Sequence, residues 1–173
     1  MRFKRPLLAA GIAALALAGL TAARDRDSDP RELTDELASV VFVCRNGVSM
    51  SVWSALTFNR IAADRGLPLR AAARASAATY TRVPLRMQFA LWLDGYRVGS
   101  YEPHVISAAD VSGAEQVILI DTELPPIALA PGVAIETWTG FPPMREKYFA
   151  SRAALQTRVE ALVERLAAPQ GDE

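Results

Sequence analysis

Residues 38–65 read ASVVFVCRNGVSMSVWSALTFNRIAADR. The opening run, 38–44, is β-branched, aromatic and small, and it is apolar on both parities, as a strand buried on both faces should be. Arg45-Asn46-Gly47 breaks it. Residues 49–65 then place Val52, Leu56, Asn59-Arg60 and Ala63 at helical spacing, with Ser49 or Ser51 able to cap the start and Gly66 and Pro68 ending the helix. A doubly buried strand that turns tightly into a helix is how a parallel, helix-covered sheet begins.

The stretch downstream repeats the alternation. An Ala-rich second strand is expected over 69–77, a helix over 85–96, and a short helix over 107–114 with Ser107 as its cap. Strands follow over 116–121 (QVILID) and 133–138 (VAIETW). Pro142-Pro143 makes a loop, and 144–167 is a long amphipathic helix. Strands alternating with helices imply a parallel sheet covered on both sides, and no internal repeat interrupts the pattern. In such sheets ligands bind at the carboxyl ends of the strands. Three places therefore matter: the loop after Cys44, the segment after Asp121 and the loop after Trp138.

Upstream, the chain changes character. M-R-F-K-R is followed by PLLAAGIAALALAGL over 6–20, without one polar side chain, and then by Thr21-Ala22-Ala23. Cationic start, apolar run and small residues outline a signal peptide over 1–23, with cleavage after Ala23 and export to the periplasm or the exterior. An uncleaved membrane anchor is the alternative, since the 18 residues of 6–23 approach the roughly 20 that span a bilayer. A cytoplasmic protein with a mis-assigned start is a third possibility. Residues 24–37 are expected to be a flexible linker, 38–168 the domain and 169–173 a disordered tail.

The 173 residues carry 19 cations, 19 acids, one Cys and one His. A balance of zero offers no surplus for nucleic-acid phosphates. Loss of Arg2, Lys4 and Arg5 with the leader takes 19 cations to 16 against 19 acids, a net charge of −3. One Cys excludes a disulfide framework, and the Cys/His count excludes a Cys/His-rich zinc site. No metal or cofactor is expected.

Cys44 closes the first strand just before a tight loop and a helix N-terminus. Unpaired amides and the positive end of the helix dipole there favour a thiolate or a bound oxyanion. This placement suits a nucleophilic Cys attacking phosphorus, or an anion-binding loop.

VVFVCRNGVSMSVWSALTFNRIA (40–62) resembles the opening of the low-molecular-weight protein tyrosine phosphatases and their arsenate-reductase relatives: a strand, C-x5-R-S, a helix. PHVISAADVSGAEQVILID and WTGFPPMREKYFASRAALQTRVEALVERL resemble that family's later segments, so the resemblance spans roughly 39–166. It implies a three-layer α/β fold, a four-stranded parallel sheet with helices on both faces. It also implies Cys44 as nucleophile, Ser51 as hydrogen-bond partner of the thiolate, and a phosphate loop made of Asn46, Gly47, Val48, Ser49, Met50 and Ser51. The family's Arg falls at Met50, which has neither donor nor charge. Its general-acid Asp before a Pro is missing from Gly140-Phe141-Pro142-Pro143, and its Gly-Asn order is reversed in Asn46-Gly47. Arg45 is the one nearby cation that could substitute for the missing Arg.

These losses point to a phosphatase-like domain that binds phosphate or a phosphorylated partner and hydrolyses it weakly or not at all. The competing readings are an active phosphatase working through a cysteinyl-phosphate with Arg45 in place of the Arg, and an exported interaction protein with a structural or redox thiol. Arsenate reduction by a thiol cascade lacks its resolving cysteines. His104 reads as an exposed loop residue, Asp121 as a cleft acid or a turn cap, Trp53, Trp92 and Trp138 as core or pocket wall, and Tyr80, Tyr96, Tyr101 and Tyr148 as undistinguished.

Overall fold

The computed structural model describes residues 29–33, 38–77 and 79–168. The elements run β1 (Val40–Cys44), α1 (Met50–Asp64), β2 (Ala71–Ala75), α2 (Leu85–Leu93), β3 (Gln116–Ile120), β4 (Ala134–Trp138) and α3 (Tyr148–Ala167). The four strands form one parallel sheet in the order β2-β1-β3-β4. Cys44 stands opposite Ala75 and Ile120, so the thiol sits at the carboxyl edge of a central strand.

The alternation along β1 decides the layers. Val40, Phe42 and Cys44 face one cluster with Val52, Leu56, Phe58, Leu155 and Val159, while Val41 and Val43 face another with Ile106, Val111 and Val117. The first cluster takes buried side chains from all three helices. Phe42 packs at 6.0 Å from Phe58 and 5.7 Å from Trp138, ring centre to ring centre. Asn59 fastens α1 to β2 by accepting from the Ala71 amide at 2.7 Å and donating to the Ala71 carbonyl at 3.1 Å. That clamp, with pairing to β1, explains how the weak strand former AAARA becomes a strand: tertiary partners override propensity.

The second face departs from expectation. Residues 107–114, expected as a short helix, form consecutive turns. The Asp110 carboxylate collects the Ser107 amide and hydroxyl, each at 2.7 Å, and Ser112 and Ala114 bond back three residues rather than four. Turns, not a helix, therefore supply Ile106, Val111 and Ala114 to that side of the sheet. The same carboxylate accepts from Arg74 Nε at 2.6 Å, an ion pair whose side chains are 4% and 11% exposed.

The last helix begins at Tyr148 rather than 144, because the amides of Glu146 and Lys147 both turn back to the Pro143 carbonyl. α2 stops at Leu93, three residues before the expected end. Within the expected linker 24–37, residues 29–33 are described: Leu33 is buried in the core and the Arg97 amide donates to the Arg31 carbonyl at 2.8 Å. One apolar side chain with a socket is enough to hold that charged stretch on the domain. The expected leader at 1–23, the rest of the linker and the tail at 169–173 lie outside the described residues. Among the described residues no helix is long and apolar enough to cross a membrane.

Candidate functional site

The loop from β1 to α1 is held from outside by its carbonyls. Cys44 O accepts from Ser76 N at 3.0 Å, Arg45 O from Ala77 N at 2.9 Å, and Gly47 O from Tyr101 Oη at 2.8 Å. Thr79 Oγ1 donates to the Asn46 side chain at 3.0 Å. Among the described residues, none of the amides of 46–52 donates to a partner. Unbonded amides in a tight loop ahead of a helix N-terminus are the groups that oxyanion sites use.

Gly47 makes this path possible. Its φ is +63°, and a Cβ there would stand 3.1 Å from both the Ala75 Cβ and the Ala75 amide. Left-handed backbone is open to glycine and, less readily, to asparagine, so the order Asn46-Gly47 still supplies a residue for this conformation.

At the base of the loop, Cys44 Sγ and Ser51 Oγ are 3.1 Å apart and buried. The structure thus brings together the two residues that matched by sequence. Val48 is buried, and Ser49 is the cap residue of α1 but makes no side-chain cap bond. Met50, half-buried, packs against the core. Arg45 is exposed.

Beside the loop lies a cleft of ≈ 370 Å³. Asn46, Val48 and Ser49 form one wall, Met87 and Ala90 of α2 another, and Pro143 and Met144 a third. Arg45 is not part of this lining; Arg86, Arg145, Tyr80 and Tyr148 are. The sequence had singled out neither arginine. Their only signal was being cationic at the start of a helix and just after a Pro-Pro loop, positions that become neighbours only through the fold.

Asp94 ties the cleft walls together. It accepts from Trp53 Nε1 at 3.1 Å and from Tyr148 Oη at 2.7 Å, and it pairs with Arg152 at 2.8 Å. Burial, reinforced by the bond to Asp94, pushes the Tyr148 phenol well above its ordinary pKa, so it stays a neutral donor. Asp94 also passed unnoticed in the sequence, since an acid at a helix end reads as ordinary.

Asp121 resolves as a turn residue rather than a cleft acid. At φ +46°, its carboxylate accepts from the Gly140 amide at 2.9 Å and the Phe141 amide at 3.3 Å, pinning the loop after β4. His104 is half-exposed, with Nδ1 3.0 Å from the Glu102 carbonyl and Nε2 3.6 Å from Asp110. Trp53 and Trp138 are core residues, whereas Trp92 is 63% exposed and away from the loop. Tyr96 is buried against Thr57 at 3.0 Å, and burial raises its pKa. No group of three or more His, Cys, Asp or Glu among the described residues could hold a metal ion.

This architecture is shared with solved structures at low identity. An arsenate reductase from Archaeoglobus fulgidus DSM 4304 is 20% identical, with a TM-score of 0.56 over 72% of this chain and 98% of its own. A low-molecular-weight phosphotyrosine phosphatase from Vibrio cholerae O395 is 14% identical, with a TM-score of 0.63 over 78% and 99%. The Drosophila arginine phosphatase is 13% identical, with a TM-score of 0.57 over 76% and 99%. No family model matches the chain, and no curated protein matches it. The fold is that of the low-molecular-weight phosphatases and arsenate reductases, a four-stranded parallel α/β sheet.

Proposed function

We propose that this chain is a phosphatase-like domain that binds phosphate or a phosphorylated partner at the Cys44 loop and turns it over weakly or not at all. One observation carries the reading: among the described residues the amides of 46–52 donate to no partner, in the loop that follows a thiol itself hydrogen-bonded to Ser51. Such a cradle suits the oxygens of a phosphoryl group, with Sγ behind the phosphorus.

Chemistry beyond binding is poorly supplied. In the reaction of this site type, the thiolate would form an S–P bond while the ester O–P bond breaks, and water would then release phosphate and the thiolate. Met50 leaves the equatorial oxygens without a guanidinium from the loop, and a lost transition-state donor costs about 10²–10³ in rate. Gly140-Phe141-Pro142-Pro143 offers no acid at the position where this site type carries one, so the leaving oxygen departs as an anion, a loss of another ~10²–10⁴. Arg86 and Arg145 line the cleft and supply the charge that neutralises a bound dianion, a role Arg45 is poorly placed to fill from outside the lining. Tyr80, Met87, Pro143 and Met144 give the cleft apolar surface for an aromatic or aliphatic ester group.

Turnover of aryl phosphates by the purified chain beside Cys44→Ser tests this. Slow, Cys44-dependent release is expected from p-nitrophenyl phosphate and none from phenyl phosphate, whose leaving group needs a proton. Turnover of both at ordinary enzymic rates, roughly 1–10³ per second, would restore the active-phosphatase reading. A thiol indifferent to phosphate would favour the interaction protein with a structural or redox thiol.

A further inference from the structure

α2 has a second face, turned away from the cleft. Leu85, Phe89, Trp92 and Leu93 fall at i, i+4, i+7 and i+8, one stripe of the helix. They are 81%, 60%, 63% and 62% exposed, while Met87 and Leu91 on the opposite side are buried. Phe89 and Trp92 stack at 5.8 Å with an interplanar angle of 24°. A groove of ≈ 590 Å³ runs along this stripe, with Glu32 and Arg97 on its rim. Arg82 and Arg97 border α2 on this side; of the acids nearby, Glu32 lines the groove beside Arg97, and Asp94 is occupied by Trp53, Tyr148 and Arg152.

The described chain begins at this rim. Residues 29–33 lie beside α2 through the Arg97–Arg31 backbone bond, and Glu32 lines the groove itself. Only eight residues, 21–28, separate the apolar run 6–20 from Asp29, a reach of at most roughly 30 Å.

We propose that the α2 stripe rests on an anionic lipid bilayer, with Trp92 and Phe89 at the headgroup boundary, in the chain that keeps its apolar run as the uncleaved membrane anchor. Apolar aromatic and Leu side chains on one face, flanked by arginines, are the features of a helix lying in a bilayer interface. Charge argues for lipid rather than for the chain's own segment as occupant. Arg2, Lys4 and Arg5 precede the apolar run and arginines border the stripe, so both are drawn to anionic headgroups and repel each other. An embedded segment plus a docked face also gives the two signals that stable attachment requires.

Trp92 is a built-in reporter, because Trp53 and Trp138 are 1% and 2% exposed. The full-length chain is reconstituted into phosphatidylcholine–phosphatidylglycerol vesicles with brominated or ordinary acyl chains, and co-flotation establishes association. The expected result is a roughly two-fold loss of the Trp92-dependent emission in brominated vesicles. Trp92→Phe removes the effect, and Phe89→Ser with Leu93→Ser weakens it while circular dichroism shows the fold unchanged. Floating vesicles with no bromine quenching overturn the proposal: blue-shifted emission then means cover by residues 6–20 or a second copy, red emission an open face. Failure to float also overturns it.

Discussion

Two loops meet at the cleft, and they use their polar groups in opposite ways. After β1, backbone carbonyls are bonded outward to Ser76, Ala77 and Tyr101, while among the described residues the amides of 46–52 donate to no partner and Cys44 and Ser51 pair beneath them. After β4, the nearest carboxylate, Asp121, is consumed by the amides of Gly140 and Phe141. The amides of one loop make no bond within the fold, while two amides of the other are taken up by a carboxylate from the turn after β3. The contrast teaches that, on the proposed reading, holding a phosphoryl group and expelling its leaving group rest on different strands and can be lost separately.

The first loop can be undermined from below. Gly47 lies against Ala75 and the backbone of Arg74, whose guanidinium is sheltered with Asp110. Asp110→Ala removes the carboxylate that accepts from Arg74 Nε and from the Ser107 amide and hydroxyl, and we expect a loss of about 1.5–3 kcal/mol, the worth of a charge-assisted hydrogen bond, by chemical denaturation. The pH dependence has a definite sign. Burial alone raises the Asp110 pKa, but the Ser107 hydroxyl and Arg74 overcome it and hold the carboxyl below its ordinary value. Its contribution is therefore complete above the unfolded value of roughly 3.9 and fades as the pH falls through the lower folded one. In Asp110→Asn that acid-side decline should shrink, as acid titration of the fold would show.

Supplying the first loop with what it lacks sharpens the contrast. Met50→Arg should tighten phosphate and vanadate binding by about 1.5–3 kcal/mol, the worth of a charge-assisted hydrogen bond, in calorimetric titration. Phenyl phosphate turnover should stay absent, because the second loop is unchanged. If hydrolysis of that ester reached ordinary rates, the division of labour between the loops would be wrong. Gly47→Ala should cost about 1–2 kcal/mol in the thermal midpoint, from the left-handed backbone and the crowding at Ala75. The smallest effect belongs to the second loop. Asp121→Asn removes charge from two exposed bonds and should cost about 0.5–1.5 kcal/mol, with phosphate affinity unaltered.

Much of this was legible in the chain. The β-branched run before Cys44 and the helical spacing after it announced the central strand, its loop and α1. Cys44 and Ser51, seven residues apart, were readable as a pair because strand end and helix start are separated only by the loop. What escaped were residues whose meaning is purely tertiary. Asp110 turns 107–114 away from helix because Arg74, 36 residues earlier, draws its carboxylate inward. Leu33 is a core residue inside a stretch that looks like linker. Arg86 and Arg145 share a cleft although 59 positions of sequence separate them, and no local pattern records that.

The chain's single cysteine gives the most direct test of the central claim. The rate of Cys44 alkylation by iodoacetamide is measured in the folded, full-length protein with and without inorganic phosphate, at fixed ionic strength. The account predicts modification in the native state that phosphate slows in a saturable manner. Alkylation that waits for denaturant, or that proceeds at the same rate at every phosphate concentration, would contradict it and leave Cys44 a core thiol.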